Sequence, residues 1–197
     1  MRTAVISGIS LVAGLALGTV LGMKIARPAV PTVDAFDTNG DGKADSEYIF
    51  ENGVRARSQH DRNFDAVWDL WEWYSADGYD LVRAEADDDF NGKVDGWTTY
   101  QRGTTYVTEQ DLDGNGITDL VHHGRYGMVI ESAGRPKGSL TNAWVMHYKL
   151  GSAWKEYRDR DGDGLLDHLT IYDVFGAVLT EERIDPPLHP TAVNGGE

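Results

Sequence analysis

Asp159-Arg-Asp161-Gly-Asp163-Gly164-Leu165-Leu-Asp167-His168-Leu-Thr-Ile-Tyr172 decides how this chain folds. Carboxylates stand at positions 1, 3, 5 and 9 of the first nine residues. Short side chains at alternate places of a curling loop converge on one point. Position 6 is Gly164, where the chain must reverse with a positive φ that glycine adopts cheaply. Position 7, Leu165, offers its backbone carbonyl, and Asp167 returns a carboxylate. Such an oxygen set suits calcium, which takes six to eight oxygens, better than magnesium, which keeps several waters. The loop has no imidazole or thiolate at these positions, which argues against zinc and copper. The residues after the loop, His168-Leu-Thr-Ile-Tyr172, are β-prone. A helix–loop–helix site would need a bidentate Glu at position 12, where Thr170 stands.

The same unit recurs along the chain. Asp37, Asp61, Asp87, Asp111, Arg135 and Asp159 open copies spaced by 24, 26, 24, 24 and 24 residues. Thirteen residues on stand Phe50, Tyr74, Tyr100, Gly124, Tyr148 and Tyr172. A glycine closes each copy: Gly53, Gly78, Gly103, Gly127, Gly151 and Gly176. Turn contexts such as Asn52-Gly53 and Asp77-Gly78 signal hairpins. Each unit therefore reads as loop, strand, tight turn, strand. The expected fold is all-β: six units over residues 37–185 in an antiparallel meander of about twelve strands. Cation loops fall on one edge and glycine turns on the other. A 24-residue unit cannot bury a core alone, so stability must come from neighbours stacking and from the loops.

Five copies carry the acidic set. The expected ligands at positions 1, 3, 5, 7 and 9 of the first loop are Asp37, Asn39, Asp41, the Lys43 carbonyl and Asp45. The second has Asp61, Asn63, Asp65, the Val67 carbonyl and Asp69. The third has Asp87, Asp89, Asn91, the Lys93 carbonyl and Asp95. The fourth has Asp111, Asp113, Asn115, the Ile117 carbonyl and Asp119. The sixth has Asp159, Asp161, Asp163, the Leu165 carbonyl and Asp167. These sets use 16 of the 22 Asp in the chain, which explains why Asp outnumbers the 10 Glu. The second loop carries Ala66 in place of glycine, so strain or lower affinity is expected there. The fifth, Arg135-Pro-Lys137-Gly-Ser139-Leu-Thr-Asn142, has lost every carboxylate, and the 135–143 loop is expected to hold no cation. Arg135 or Lys137 is expected to place positive charge there instead. Up to five Ca2+ ions are expected in all.

The Asp-x-[Asp/Asn]-x-[Asp/Asn]-Gly-x-x-Asp pattern resembles bacterial thrombospondin type 3-like and EF-hand-like calcium repeats. In its β context it is similar to the calcium loops of integrin-type propeller repeats, with Asp111-Leu-Asp-Gly-Asn-Gly-Ile-Thr-Asp-Leu-Val the nearest stretch. The resemblance implies an extracellular, calcium-stabilised module with binding or structural duties. With no bidentate Glu, affinity is expected near ~10⁻⁴–10⁻³ M, as in extracellular modules.

Outside the repeats, Ala4 to Met23 is 20 residues without a charge, long enough to span a hydrocarbon core. Residues 1–27 are therefore expected to be a transmembrane anchor, or alternatively a cleaved signal. Gly14, Gly18 and Gly22 share one helix face on which two such helices could associate. Residues 28–36, with Pro28 and Pro31, read as a linker, and residues 186–197 as a disordered tail. The repeats are expected outside the membrane, periplasmic or on the cell surface, or secreted if a signal is cleaved.

The chain of 197 residues carries 32 acidic against 18 basic residues, for a formal charge of −14. That balance argues against nucleic acid as a partner. The absence of cysteine removes disulfides and thiol chemistry. No nucleophile elbow, zincin helix or phosphate loop occurs in the repeats, so no enzyme activity is expected. His122 and His123 should point to opposite faces of their strand. The expected role is a calcium-stabilised scaffold for adhesion or for an unidentified protein. Two alternatives are a calcium buffer or sensor and a carbohydrate-binding module. The last would present the aromatic strands around Trp71, Trp73, Trp97 and Trp154 to a polysaccharide.

Overall fold

A computed structural model describes residues 30–101, 104–135, 139 and 141–190. The described residues hold thirteen β-strands and no α-helix. The strands are β1 (Thr32–Phe36), β2 (Ser46–Glu51), β3 (Val54–His60), β4 (Leu70–Tyr74), β5 (Leu81–Ala86), β6 (Gly96–Gln101) and β7 (Thr105–Gln110). They continue with β8 (Leu120–Arg125), β9 (Met128–Gly134), β10 (Trp144–Lys149), β11 (Ser152–Arg158), β12 (Leu166–Tyr172) and β13 (Val178–Leu188). They form one sheet in chain order, each strand antiparallel to the next. The connections follow the 24-residue unit, so acidic loops and glycine turns lie at opposite edges.

Two differences from expectation lie at the ends. The segment read as a linker contains β1, which pairs along its whole length with β2, from Thr32 opposite Phe50 to Phe36 opposite Ser46. The segment read as a tail contributes Pro186, Pro187 and Leu188 to β13, and Leu188 lies opposite Leu166. Both strands are sheet edges, where proline costs no ladder bond that a second neighbour needs. The expected transmembrane helix, with Gly14, Gly18 and Gly22, lies outside the described residues. Among the described residues no helix is long and apolar enough to cross a membrane.

The turns follow the glycines. Asn52–Gly53, Tyr126–Gly127 and Leu150–Gly151 each have two successive positive φ angles, the backbone of the hairpin turn that matches strand twist. A bulge recurs one or two residues after the middle of the first strand, between Ile49 and Phe50, Trp73 and Tyr74, His123 and Gly124, His147 and Tyr148, and Ile171 and Tyr172. In the fourth unit Gly124 replaces the aromatic, and the Tyr106 ring lies where a Cβ would project.

The apolar core is thin. Ala133, Val145 and Leu166 form the buried cluster, with Tyr157 and Leu188 packed against it. Ala84 and Pro190 are the other buried apolar residues among those described. Buried carboxylates are more numerous: seven loop aspartates together with Glu131 and Glu156. A layer with so little apolar burial gains little from water exclusion. Its stability must rest on ladder bonds, cross-strand pairs and whatever neutralises those acids.

Polar groups and arginine-covered rings fill the faces. On one face Glu72 Oε2 accepts from the Ser58 hydroxyl at 2.6 Å and from the Tyr74 hydroxyl at 2.7 Å. Glu156 Oε2 accepts from the Tyr172 hydroxyl at 2.7 Å. The Arg55 guanidinium sits 4.0 Å from the Tyr74 ring centre, and that of Arg83 sits 5.1 Å from Trp73.

Candidate metal centres

The loops are built by a fixed pattern of backbone donors. The carboxylate at position 1 accepts from the N–H at position 6: Gly42 to Asp37 at 2.9 Å, Ala66 to Asp61 at 2.7 Å, Gly92 to Asp87 at 2.7 Å, Gly116 to Asp111 at 2.6 Å and Gly164 to Asp159 at 2.9 Å. Position 5 accepts from the N–H of position 7, as Lys43 to Asp41 at 2.8 Å and Ile117 to Asn115 at 2.7 Å. Position 9 accepts from the N–H of position 2 in all five: Thr38 to Asp45, Arg62 to Asp69, Asp88 to Asp95, Leu112 to Asp119 and Arg160 to Asp167. These side chains are thus turned inward before any ion is considered.

The acidic loops are also tied to one another. The N–H of each position 1 donates to the carbonyl of the preceding position 9: Asp61 to Asp45, Asp87 to Asp69 and Asp111 to Asp95, each at 2.9 Å. Arg135 to Asp119 at 2.7 Å continues the series, and Asp159 to Ala143 at 2.8 Å completes it.

Four groups of carboxylates each bring oxygens within 4.8 Å of one another: Asp37, Asp41 and Asp45; Asp87, Asp89 and Asp95; Asp111, Asp113 and Asp119; and Asp159, Asp161 and Asp163. Asp167 stands apart from the last of these and lies 3.0 Å from His168 Nδ1. The asparagines Asn39, Asn91 and Asn115 sit within the same turns, where Asn39 and Asn115 accept the N–H two residues on. Lys43, Lys93, Ile117 and Leu165 occupy position 7 as expected, each with its N–H held by the side chain at position 5.

Electrostatics favour the ionised acids. Asp45 is held below its ordinary value, chiefly by the Thr38 hydroxyl. Asp111 is lowered as well: burial opposes ionisation, but N–H donors from Gly116, Asn115, Gly114 and Asp113 outweigh it. Asp167 is lowered first by the adjacent His168 imidazole and then by the Arg160 N–H. Two buried side-chain atoms among the described residues have no hydrogen-bond partner, His168 Nδ1 and Asp119 Oδ1. Asp119 is 8% exposed, and its Oδ1 is buried without a hydrogen-bond partner beside Asp111 and Asp113. A buried carboxylate oxygen without a donor is costly unless a cation meets it.

The second loop differs. Among the described residues Asp61, Asp65 and Asp69 do not form such a group. Arg62 Nε reaches Asp69 Oδ1 at 2.5 Å, and Arg62 Nη1 reaches Asp88 Oδ1 at 2.8 Å. Its Nη2 donates to the carbonyls of Asp69 and Asp87 at 3.2 and 3.0 Å. A guanidinium therefore occupies position 9 of this loop and ties it to the third. Ala66 adopts a φ of 71°, as the missing glycine implied, and Phe64 and Phe90 at position 4 have φ of 63° and 58°. Sequence reasoning missed both features. Position 2 is not a ligand position, so Arg62 carried no signal. The demand at position 4 is visible in Gly40, Gly114 and Gly162 but is masked by the two phenylalanines.

In the fifth loop Arg135 Nε donates to Asn142 Oδ1 at 3.3 Å. Lys137 lies outside the described residues. No protein-family model matches this chain, and no match was found among curated proteins or solved structures.

Proposed function

We propose that this chain is a calcium-binding β-repeat protein whose ions hold the loop edge of the sheet together. The observation that carries the reading is Asp119 Oδ1, a buried carboxylate oxygen without a donor, set among two further aspartates. Supporting it, nine carboxylates are buried among the described residues, against five apolar side chains. Donors of this class, all oxygen with no imidazole or thiolate, suit Ca2+. Four loops group three carboxylates each, so four ions are the main load, with the 61–69 loop the weakest of the five expected sites.

Calcium in this reading is structural. Like charges crowded into a loop repel, and binding coupled to folding relieves that. The array then serves as a rigid scaffold for adhesion or for a protein partner. We place it outside the cytoplasm, anchored through residues 4–23, because weak sites of this kind need millimolar calcium. The test is a thermal melt followed by circular dichroism in calcium and in chelator, with equilibrium dialysis. Unfolding on calcium removal over the millimolar range supports a scaffold. A chain that binds calcium yet stays folded without it points to the buffer or sensor role. No bound calcium at several millimolar overturns the proposal.

A further inference from the structure

The edge of the sheet opposite the acidic loops carries large apolar side chains at the tips of its turns. Tyr126 is 70% exposed, Leu150 90% and Phe175 92%. They stand in three successive hairpins, β8–β9, β10–β11 and β12–β13, so neighbouring tips lie two strand spacings, ~10 Å, apart. The chain enters the sheet at the same edge. β1 begins at Thr32 opposite Phe50, beside the Asn52–Gly53 turn, and runs toward the first acidic loop. We propose that this turn edge, through Tyr126, Leu150 and Phe175, lies against the surface of an anionic lipid bilayer. The proposal rests on the reading that residues 4–23 anchor the chain in that bilayer.

Three observations support it. The first is conformational cost. Asn52, Tyr126 and Leu150 hold the same turn position, with φ of 54°, 51° and 51°. Asparagine suits this backbone, whereas a larger side chain there is strained. So exposed, Tyr126 and Leu150 gain almost nothing from burial within the sheet to offset that strain. Contact with lipid supplies the missing burial. The first turn, nearest the anchor, keeps asparagine.

The second is charge. Residues 124–130 and 147–155 carry Arg125, Lys149 and Lys155 and no acid. The acids beside the other described turns are Glu51, Asp77, Asp80 and Asp173. Asp173 is engaged by its own turn, where it accepts the N–H of Phe175 and of Ala177, each at 2.8 Å. The Lys149 and Lys155 ammonium groups lie 5.9 and 4.5 Å from the Trp154 ring centre. Aromatic rings beside basic side chains suit the headgroup level, and anionic lipid attracts the cations. The acidic loops sit at the far edge, where that lipid repels them least.

The third is reach. Eight residues, 24–31, join Met23 to Thr32 and span at most ~30 Å when extended. Such a tether keeps the start of β1 close to the bilayer, and its Lys24 and Arg27 add the same sign of charge. The anchor holds the array at β1 and the apolar tips hold it from β8 onward, so it lies along the surface.

The test uses the full chain reconstituted in vesicles of phosphatidylcholine and phosphatidylglycerol, in several millimolar Ca2+. The chain has no cysteine. Leu150→Cys, Phe175→Cys and Leu112→Cys therefore each give one site for a polarity-sensitive fluorophore. Leu112, 67% exposed on an acidic loop, is the control. Lipids spin-labelled near the headgroup should quench the probes at 150 and 175 at least threefold more than the probe at 112. Tyr126→Asn combined with Leu150→Asn should cut quenching at 175 at least twofold. The same pair should leave the urea midpoint in detergent unchanged or higher. A chain that floats with the vesicles while 150 and 175 stay unquenched overturns the proposal and leaves the anchor standing. Equal quenching at 112 does the same, as does a lowered midpoint in the Asn variant, which would give Tyr126 and Leu150 a structural role. A chain that does not float overturns the anchor and the proposal together.

Discussion

Replacing Glu72 by Gln tests whether buried polar pairs, rather than apolar contacts, hold this sheet. The Glu72 carboxylate is lowered from 4.5 to about 2, first by the His60 imidazole at 3.4 Å and then, against the cost of burial, by the hydroxyls of Ser58 and Tyr74. At about 1.4 kcal/mol per tenfold, that depression corresponds to ~3 kcal/mol of folding free energy. The side chain keeps 21% exposure, and solvent screening reduces the figure to ~1.5–2 kcal/mol. The sign follows from linkage. Because the folded value lies below the unfolded one, the stabilisation is fully present above about pH 4.5 and is lost as pH falls toward 2. Glu72→Gln should therefore destabilise by ~1.5–2 kcal/mol at pH 7 and by much less at pH 2.5. Urea unfolding of both proteins across that range, compared at each pH, removes the acid response common to the loops. A difference that stays constant with pH, or is under ~0.5 kcal/mol at pH 7, would refute the reasoning.

Other substitutions probe the loops and the turns. Arg62→Ala should leave Asp69 buried without its guanidinium and cost ~3 kcal/mol or more in chelator. Added calcium should recover part of that loss, which a melt in each condition reads directly. Ala66→Gly relieves a positive φ and should raise stability by ~1 kcal/mol, seen as a higher urea midpoint. Gly124→Ala would drive a methyl group into the Tyr106 ring and should cost ~1–3 kcal/mol. The double variant with Tyr106→Ala should recover much of that loss, measured in a double-mutant cycle.

The repeated parts of the fold were legible because one physical demand recurs in the same register. Alternating Asp or Asn, a glycine at position 6, a β-prone run and a second glycine occur in unit after unit, and the strand order results from them. The ends were not legible. Thr32–Phe36 has no partner within its own unit, and only docking on β2 makes it a strand. Pro186 and Pro187 read as a break, yet an edge strand accommodates them. Within the loops, position 9 was read only as a ligand. The structure shows it also accepting backbone N–H donors, on one oxygen of Asp119, whose Oδ1 is left over, but on both oxygens of Asp95. The replacement of convergence by a guanidinium in the second loop depends on the reach of Arg62 to Asp88, across a sequence separation of 26 that no local pattern encodes.

The backbone hydrogen bonds that run from each position 1 to the preceding position 9 have a consequence for growth of the array. The join continues through the fifth unit, where Arg135 bonds to Asp119 and Asp159 bonds to Ala143, although that unit carries none of the acids. Whatever fills a unit, its two seams are the same. A gene duplication or deletion of one whole unit would therefore splice into the sheet with both seams kept, and the 26-residue second unit keeps its seams with two residues more than the others. Tandem architecture of this kind can lengthen or shorten by recombination without a new fold having to be found.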